Sequence, residues 1–295
     1  MKLKGIDKLR EKLPGYPGKR IAVLPAIALL AFLLGLAFML TMDTISRLMP
    51  GAPLLAELEP LLPVIGSVIC VGTGILLVRL VWTKREKSKA ELGELAYQRM
   101  VFRGIAGVSL LASALTRSFV SIRSLPPGPP VNEITTRLST SFLAVIGVPA
   151  PIDIGLRIVG GGLFLLLAMF TVHRALFTFG LDYMVVVYLY FPEESEIQNH
   201  EIYSVIRHPT YFSIVLIGLA AILSRMSVYS IVFALVIFVG LLAQVRLEEA
   251  ELVERFGDSY LEYMKRVPGL YIRPRDIRSY FRFLAAKSKF IADAD

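Results

Sequence analysis

Two short stretches of this 295-residue chain concentrate side chains that bind charge and move protons. The first is Asn199-His200-Glu201-Ile202-Tyr203-Ser204-Val205-Ile206-Arg207-His208-Pro209-Thr210-Tyr211, and the second is Gln244-Val245-Arg246-Leu247-Glu248-Glu249-Ala250-Glu251-Leu252. Pro209 lacks a backbone donor and favours the first turn of a helix, so a helix is expected to begin there with His208 as its entry residue. The first-turn amides and the positive end of the helix dipole would suit a carboxylate or another anion, with Arg207 and His208 at the mouth. On a helix, the second stretch puts Gln244, Glu248 and Glu251 on one face and Arg246 and Glu249 on another. Basic groups facing a pair of carboxylates match a zwitterionic ligand that carries both an ammonium and a carboxylate. The same residues also have simpler uses: Arg207 reaching lipid phosphate, His208 capping a helix, and the glutamates forming solvated ion pairs.

The elements that must position these groups are apolar. The chain is 55% hydrophobic and 19% charged, with a mean hydropathy of +0.63, a composition suited to a bilayer rather than to water. Crossing the hydrocarbon core takes about 20 apolar residues in a helix, because every backbone polar group must be satisfied within the segment. Runs at 21–42, 61–82, 100–122, 154–179, 211–226 and 228–245 meet that need, the third carrying Arg103 and Arg117. The fold class expected is therefore all-α, a polytopic membrane bundle of about six transmembrane helices. Gly160-Gly161-Gly162 in the fourth run would let a neighbouring helix approach closely. Only Ser227 separates the last two runs, which predicts a tight antiparallel hairpin that returns both polar stretches to one membrane face. Leu252, Phe256, Tyr260 and Tyr263 then recur at helical spacing, predicting a C-terminal amphipathic helix along the membrane surface. The chain divides into a transmembrane anchor of about four helices, 1–180, and a part carrying the polar stretches, 181–295.

Lysine and arginine alternate between rich and poor connections. Lys2, Lys4, Lys8, Arg10, Lys12, Lys19 and Arg20 precede the first run, and Lys84, Arg85, Lys87, Lys89 and Arg99 fill the second connection. The first and third connections are poorer, and the tail from Arg255 through Lys289 is rich again. This pattern predicts that both termini, and with them both polar stretches, lie in the cytoplasm. The formal charge of +8 sits between and outside apolar blocks, which points to anionic lipid headgroups rather than nucleic acid as its partner. The first apolar run is long and lacks a small-residue cleavage site, so it reads as a retained helix. Cys70, the single cysteine, lies in an apolar run, and His173, His200 and His208 have no four-residue spacing, so no metal site is expected.

Arg207-His208-Pro209-Thr210-Tyr211, an apolar hairpin, Glu248-Glu249-Ala250-Glu251-Leu252, Phe256-Gly257-Asp258-Ser259-Tyr260-Leu261-Glu262-Tyr263 and Val267-Pro268-Gly269 follow one another in a distinctive order. Together they resemble the isoprenylcysteine carboxyl methyltransferase and phospholipid methyltransferase superfamily, whose pattern is RHPxY, a helical hairpin, EExxL, FGxxYxxY and a closing proline-containing segment. The likeness covers residues 203–274, and the four earlier spans show no matching motif. It implies S-adenosylmethionine as methyl donor, bound in a cytoplasm-facing pocket, and a lipophilic acceptor from the bilayer, either a prenylcysteine carboxylate or a lipid headgroup. Tyr203, Arg207, His208 and Tyr211 correspond to the first motif and Glu248 and Glu249 to the acidic pair. Tyr203, Tyr211 or Tyr260 would cover the adenine or the sulfonium. Arg207 would orient the donor or an acidic acceptor, and Glu201 or Glu248 would serve as base for an amine acceptor. Gln244 stands where many members carry an arginine, and His200-Glu201-Ile202 where a glycine-containing turn is usual. The rival enzyme reading is an NADPH-dependent membrane reductase of the sterol-reductase type, which shares a related hairpin and RHP motif. A third is a non-catalytic membrane binding or scaffold protein.

Overall fold

The computed structural model describes residues 6–180, 187–194 and 196–285, and the regular structure among them is helical throughout. Lys2, Lys4 and Lys289, which entered the charge count, lie outside the described residues, and the division at 180 falls at their edge. Five helices are long and apolar enough to cross a membrane: α1 (Val23–Leu48), α2 (Leu62–Thr83), α3 (Ala96–Arg117), α4 (Ala150–Phe179) and α6 (Val228–Phe256). A sixth apolar helix, α5 (Pro209–Arg225), has 17 residues, so its length of about 26 Å falls short of the hydrocarbon core. Two short helices follow, α7 (Asp258–Arg266) and α8 (Ile277–Ala285). The result is a polytopic helical bundle, the class expected from composition.

Where helix ends depart from the apolar runs, paired polar groups explain the difference. α1 continues past residue 42 because Asp43 and Arg47 are buried with partners: Arg117 forms an ion pair with Asp43, and Arg47 donates to Glu59 and to the carbonyls of Ile122 and Leu125. Burying a charge in this way is tolerable only with a hydrogen-bonded counterion, and here each has one. α3 begins four residues before the run and stops at Arg117, whose guanidinium also lies 3.6 Å over the Phe233 ring of α6. This buried cluster ties α1, α3 and α6 together at the end of the bundle remote from His208.

At the other end, α6 does not stop at residue 245 but runs unbroken to Phe256, about 43 Å in all. It therefore carries Glu248, Glu249 and Glu251 on the same rigid rod as its apolar span. Gly257, with φ of 55°, breaks the helix there, so Leu252 and Phe256 belong to α6 whereas Tyr260 and Tyr263 belong to α7. The single amphipathic helix expected over these residues is thus two helices. Their four apolar side chains converge on one cluster with Val267 and Ile197 instead of lying on a membrane surface.

The α5–α6 connection is as tight as expected. Met226 takes a left-handed conformation, φ 48°, and Ser227 caps α6 through the Ser230 amide. α5 in turn packs along α4, where Gly160 faces Leu223 and Gly161 makes the tightest approach of the triplet. A Cβ on Gly161 would meet Ser224 Oγ at 2.0 Å and the Ala220 carbonyl at 3.1 Å, whereas one on Gly162 would meet nothing within 4 Å. Gly161→Val should therefore destabilise the protein by about 1–3 kcal/mol through overpacking, and Gly162→Val should leave it unchanged. Thermal unfolding in detergent micelles would read the difference.

Candidate functional site

The local backbone explains why Arg207 and His208 sit where they do. Pro209 occupies the first turn of α5 and His208 is its N-cap residue, but the imidazole makes no capping bond. Instead Arg207 N donates to Pro268 O at 2.9 Å and His208 N to Gly269 O at 3.2 Å, so the Val267-Pro268-Gly269 segment is laced to the chain just before α5. Gly269 has a steric role as well, since a Cβ there would approach Arg207 Nη2 at 3.2 Å and Glu249 Oε1 at 3.5 Å.

One carboxylate oxygen organises this junction. Glu249 Oε1 accepts from Arg207 Nε at 3.1 Å and Nη2 at 2.5 Å, and lies 3.0 Å from His208 Nε2. Arg207 Nη1 donates to the carbonyls of Met264 and Val267. The guanidinium expected to orient a ligand is therefore engaged at all three nitrogens by the protein itself. Its visible work is to fasten the end of α7 to α5 and α6.

Glu248, one residue earlier, points elsewhere. Tyr211 Oη donates to its Oε2 at 2.7 Å and Tyr188 Oη to its Oε1 at 3.4 Å. It borders a hollow of about 760 Å³, partly continuous with solvent, whose wall includes Tyr203, His208, Tyr211, Glu248 and Tyr260. Tyr263 also lines it and donates to the Tyr203 carbonyl at 2.6 Å. His208 stacks on Tyr211, ring centroids 5.6 Å apart. Burial pushes the phenols of Tyr188, Tyr203 and Tyr260 above their ordinary range, with the negative charge of Glu248 adding to it. These hydroxyls are therefore neutral donors at physiological pH rather than bases.

The expected site residues thus divide. Tyr203, Arg207, His208, Tyr211, Glu248 and Tyr260 border one hollow, and Glu249 lies behind it as the partner of Arg207 and His208. Glu201 is not part of the lining: it is exposed, has φ of 49°, and its carboxylate accepts from Thr178 at 2.7 Å on the α4 side. The base expected at Glu201 is thus placed outside the hollow. Glu251, expected beside Glu248, instead pairs with Arg85 at 2.6 Å and Arg255 at 2.5 Å. Gln244, buried one turn before Glu248, has no hydrogen-bond partner in good geometry for either amide atom.

Sequence reasoning missed Tyr188, Glu196 and Gln198, which complete the wall from upstream of the first polar stretch. Gln198 Nε2 donates to Glu196 Oε1 at 2.8 Å, and its own carbonyl is buried without a partner, a group left available to a ligand. The one available signal was the position of Glu196 and Gln198 immediately before that stretch. Tyr188 sits in an apolar run and carried none.

Residues 156–259 match the family model described as PEMT, phospholipid methyltransferase. The match bears out the resemblance read from the motifs. It covers about a third of the chain and begins in α4, upstream of the motif stretch, so the fourth span carries family pattern that its sequence did not reveal. No curated protein and no solved structure matches the chain.

The two adjacent glutamates should behave differently. Glu249→Ala strands Arg207 and His208 and unfastens the end of α7, so it should lower thermal stability by roughly 2–4 kcal/mol. Glu248→Gln keeps the shape and can still accept from Tyr211, so unfolding should shift by under about 1 kcal/mol. Parallel melting curves of the two variants in one detergent would test this.

Proposed function

We propose that the protein is an integral membrane methyltransferase that uses S-adenosylmethionine to methylate a lipophilic acceptor, with a lipid headgroup amine as the favoured class. The observation that carries this reading is the charge of the hollow. Its lining contains two carboxylates, Glu196 and Glu248, several neutral tyrosines, and one arginine whose nitrogens are already engaged. S-adenosylmethionine carries an ammonium, a sulfonium and a carboxylate, so it is a net cation and suits such a wall. A nicotinamide dinucleotide phosphate brings several negative charges and would need free arginines or lysines, which the described lining residues do not supply. That disfavours the reductase reading.

When bound, S-adenosylmethionine supplies a methyl group activated for transfer by its attachment to a sulfonium. Tyr203, Tyr211 and Tyr260 would hold the cationic and aromatic parts through their ring faces. Glu248, pinned by Tyr211 and Tyr188, would face the ammonium or sulfonium, and the first-turn amides of α5 would receive the carboxylate. The acceptor's nucleophile forms a bond to the methyl carbon as the carbon–sulfur bond breaks, and the electron pair stays on sulfur. An amine acceptor would also release a proton, and Glu248, one of the two carboxylates that line the hollow, would take it. A carboxylate acceptor would need a free cation in the same place, so the engagement of Arg207 favours the amine.

An apolar groove supports the lipophilic half of the reading. It runs between α5 and α6, lined by Ile214, Gly218, Ala234, Phe238 and Leu241 among others, with open space of about 640 Å³. Leu241, Gln244 and Glu248 follow at near one-turn intervals on α6, so the groove leads along that helix toward the hollow, past an unpartnered amide. A hydrocarbon chain lying there would bring a headgroup to Glu248. The distribution of lysine and arginine supports a cytoplasmic position for this end.

Isothermal titration of the protein in detergent with S-adenosylhomocysteine is expected to show binding. Glu248→Gln should weaken it tenfold or more, about 1.5–3 kcal/mol, and NADPH should not bind. Binding of NADPH alone would transfer the reading to the reductases, and binding of neither would leave a non-catalytic role.

A further inference from the structure

α8 is amphipathic, with one face packed on the bundle and the other exposed. Tyr280 is buried, sharing a hydroxyl contact with Thr171 of α4 and an edge-on ring contact with Phe212, while Phe283 and Leu284 pack on the same side. Arg174 of α4 donates to the Leu284 carbonyl at 3.3 Å, which fixes the other end of the helix. The opposite arc is exposed and mixed: Ile277 is 45% and Phe281 52% accessible, and Arg278 and Arg282 stand beside them, also exposed. Spacing of four residues aligns Ile277 with Phe281 and Arg278 with Arg282, so an apolar strip and a basic strip run side by side along the helix.

The depth of this face follows from α4. Large apolar side chains stand exposed along α4 from Ile152 to Phe170, and none of the described ones does beyond it. α8 crosses α4 at Thr171 and Arg174, within one turn past that limit, the level at which hydrocarbon would give way to headgroups. The segment from Tyr271 to Ala285 carries four arginines, Arg273, Arg275, Arg278 and Arg282, against one carboxylate, Asp276, and Arg273 already pairs with that carboxylate at 2.6 Å. Arg275, its side chain 73% exposed and 3.9 Å from the same carboxylate, joins the two exposed arginines of the helix.

The geometry points to α8 as a docking site for anionic phospholipid, with Ile277 and Phe281 entering the acyl boundary and Arg275, Arg278 and Arg282 meeting the phosphodiesters. Zwitterionic headgroups offer the same phosphate but an added ammonium that repels the arginines, so the site discriminates by net charge. The surface stands apart from the hollow and does not depend on the proposed reaction.

The test is electron paramagnetic resonance of the full chain reconstituted in phosphatidylcholine vesicles, with spin-labelled phosphatidylglycerol or spin-labelled phosphatidylcholine as probe. The wild-type chain is expected to immobilise the anionic probe about threefold more strongly than the zwitterionic one. The combined variant Arg275→Gln, Arg278→Gln, Arg282→Gln should lose most of that preference, and the matching lysine variant should keep it. A control that removes Lys84, Lys87 and Arg99, exposed basic residues of another connection, should retain it. Undiminished preference in the glutamine variant, or an equal loss in the control, would overturn the proposal.

Discussion

A single carboxylate joins three segments at the end of the molecule that carries the hollow. Glu249 Oε1 receives Arg207 and faces His208, and Arg207 passes the connection on to the carbonyls that end α7. That junction adds charged contacts to the backbone bonds that already lace the Pro268 segment to the start of α5, and brings the end of α6 into the same cluster. Charge-assisted hydrogen bonds suit this task, because in a partly buried setting they are stronger and more directional than neutral ones. The outcome is a division of labour between neighbours: Glu249 satisfies the protein, which leaves Glu248 facing open space.

The first three spans are bound into the same arrangement from two directions. At the remote end, Arg117 links α3 to Asp43 of α1 and to the ring of Phe233 on α6. Near the hollow, Arg85 reaches Glu251, which also holds Arg255, and Arg255 donates to the carbonyl of Tyr188 at 3.1 Å. Tyr188 in turn touches Glu248. The region read from sequence as plain anchor therefore supports a wall of the hollow through a chain of ion pairs and one aromatic side chain.

Much of the fold was legible because hydropathy and backbone satisfaction in a bilayer leave few alternatives to apolar helices. Span starts came through within about four residues, and the two largest errors, at the ends of α1 and α6, share one cause. α1 and α6 outlast their apolar runs because Asp43, Arg47 and Glu249 find partners in the fold, and such pairing is invisible until distant residues are brought together. The site was legible where motif residues cluster, as at Arg207-His208-Pro209 and Glu248-Glu249. It was not legible in role: spacing told nothing of which glutamate would be consumed by Arg207, nor that Glu201 would turn toward Thr178. Gly257 likewise looked like one more motif letter, whereas its positive φ divides a supposed single helix in two.

The uninterrupted course of α6 has a mechanical meaning. Between Leu235 in the groove and Glu248 at the hollow the helix contains no proline, and its one glycine, Gly240, is packed closely against Val71 and Ile75 of α2. A change in the spacing of α5 and α6 inside the bilayer would reach Glu248 along one continuous helix, which joins the greasy end of this pair to its polar end.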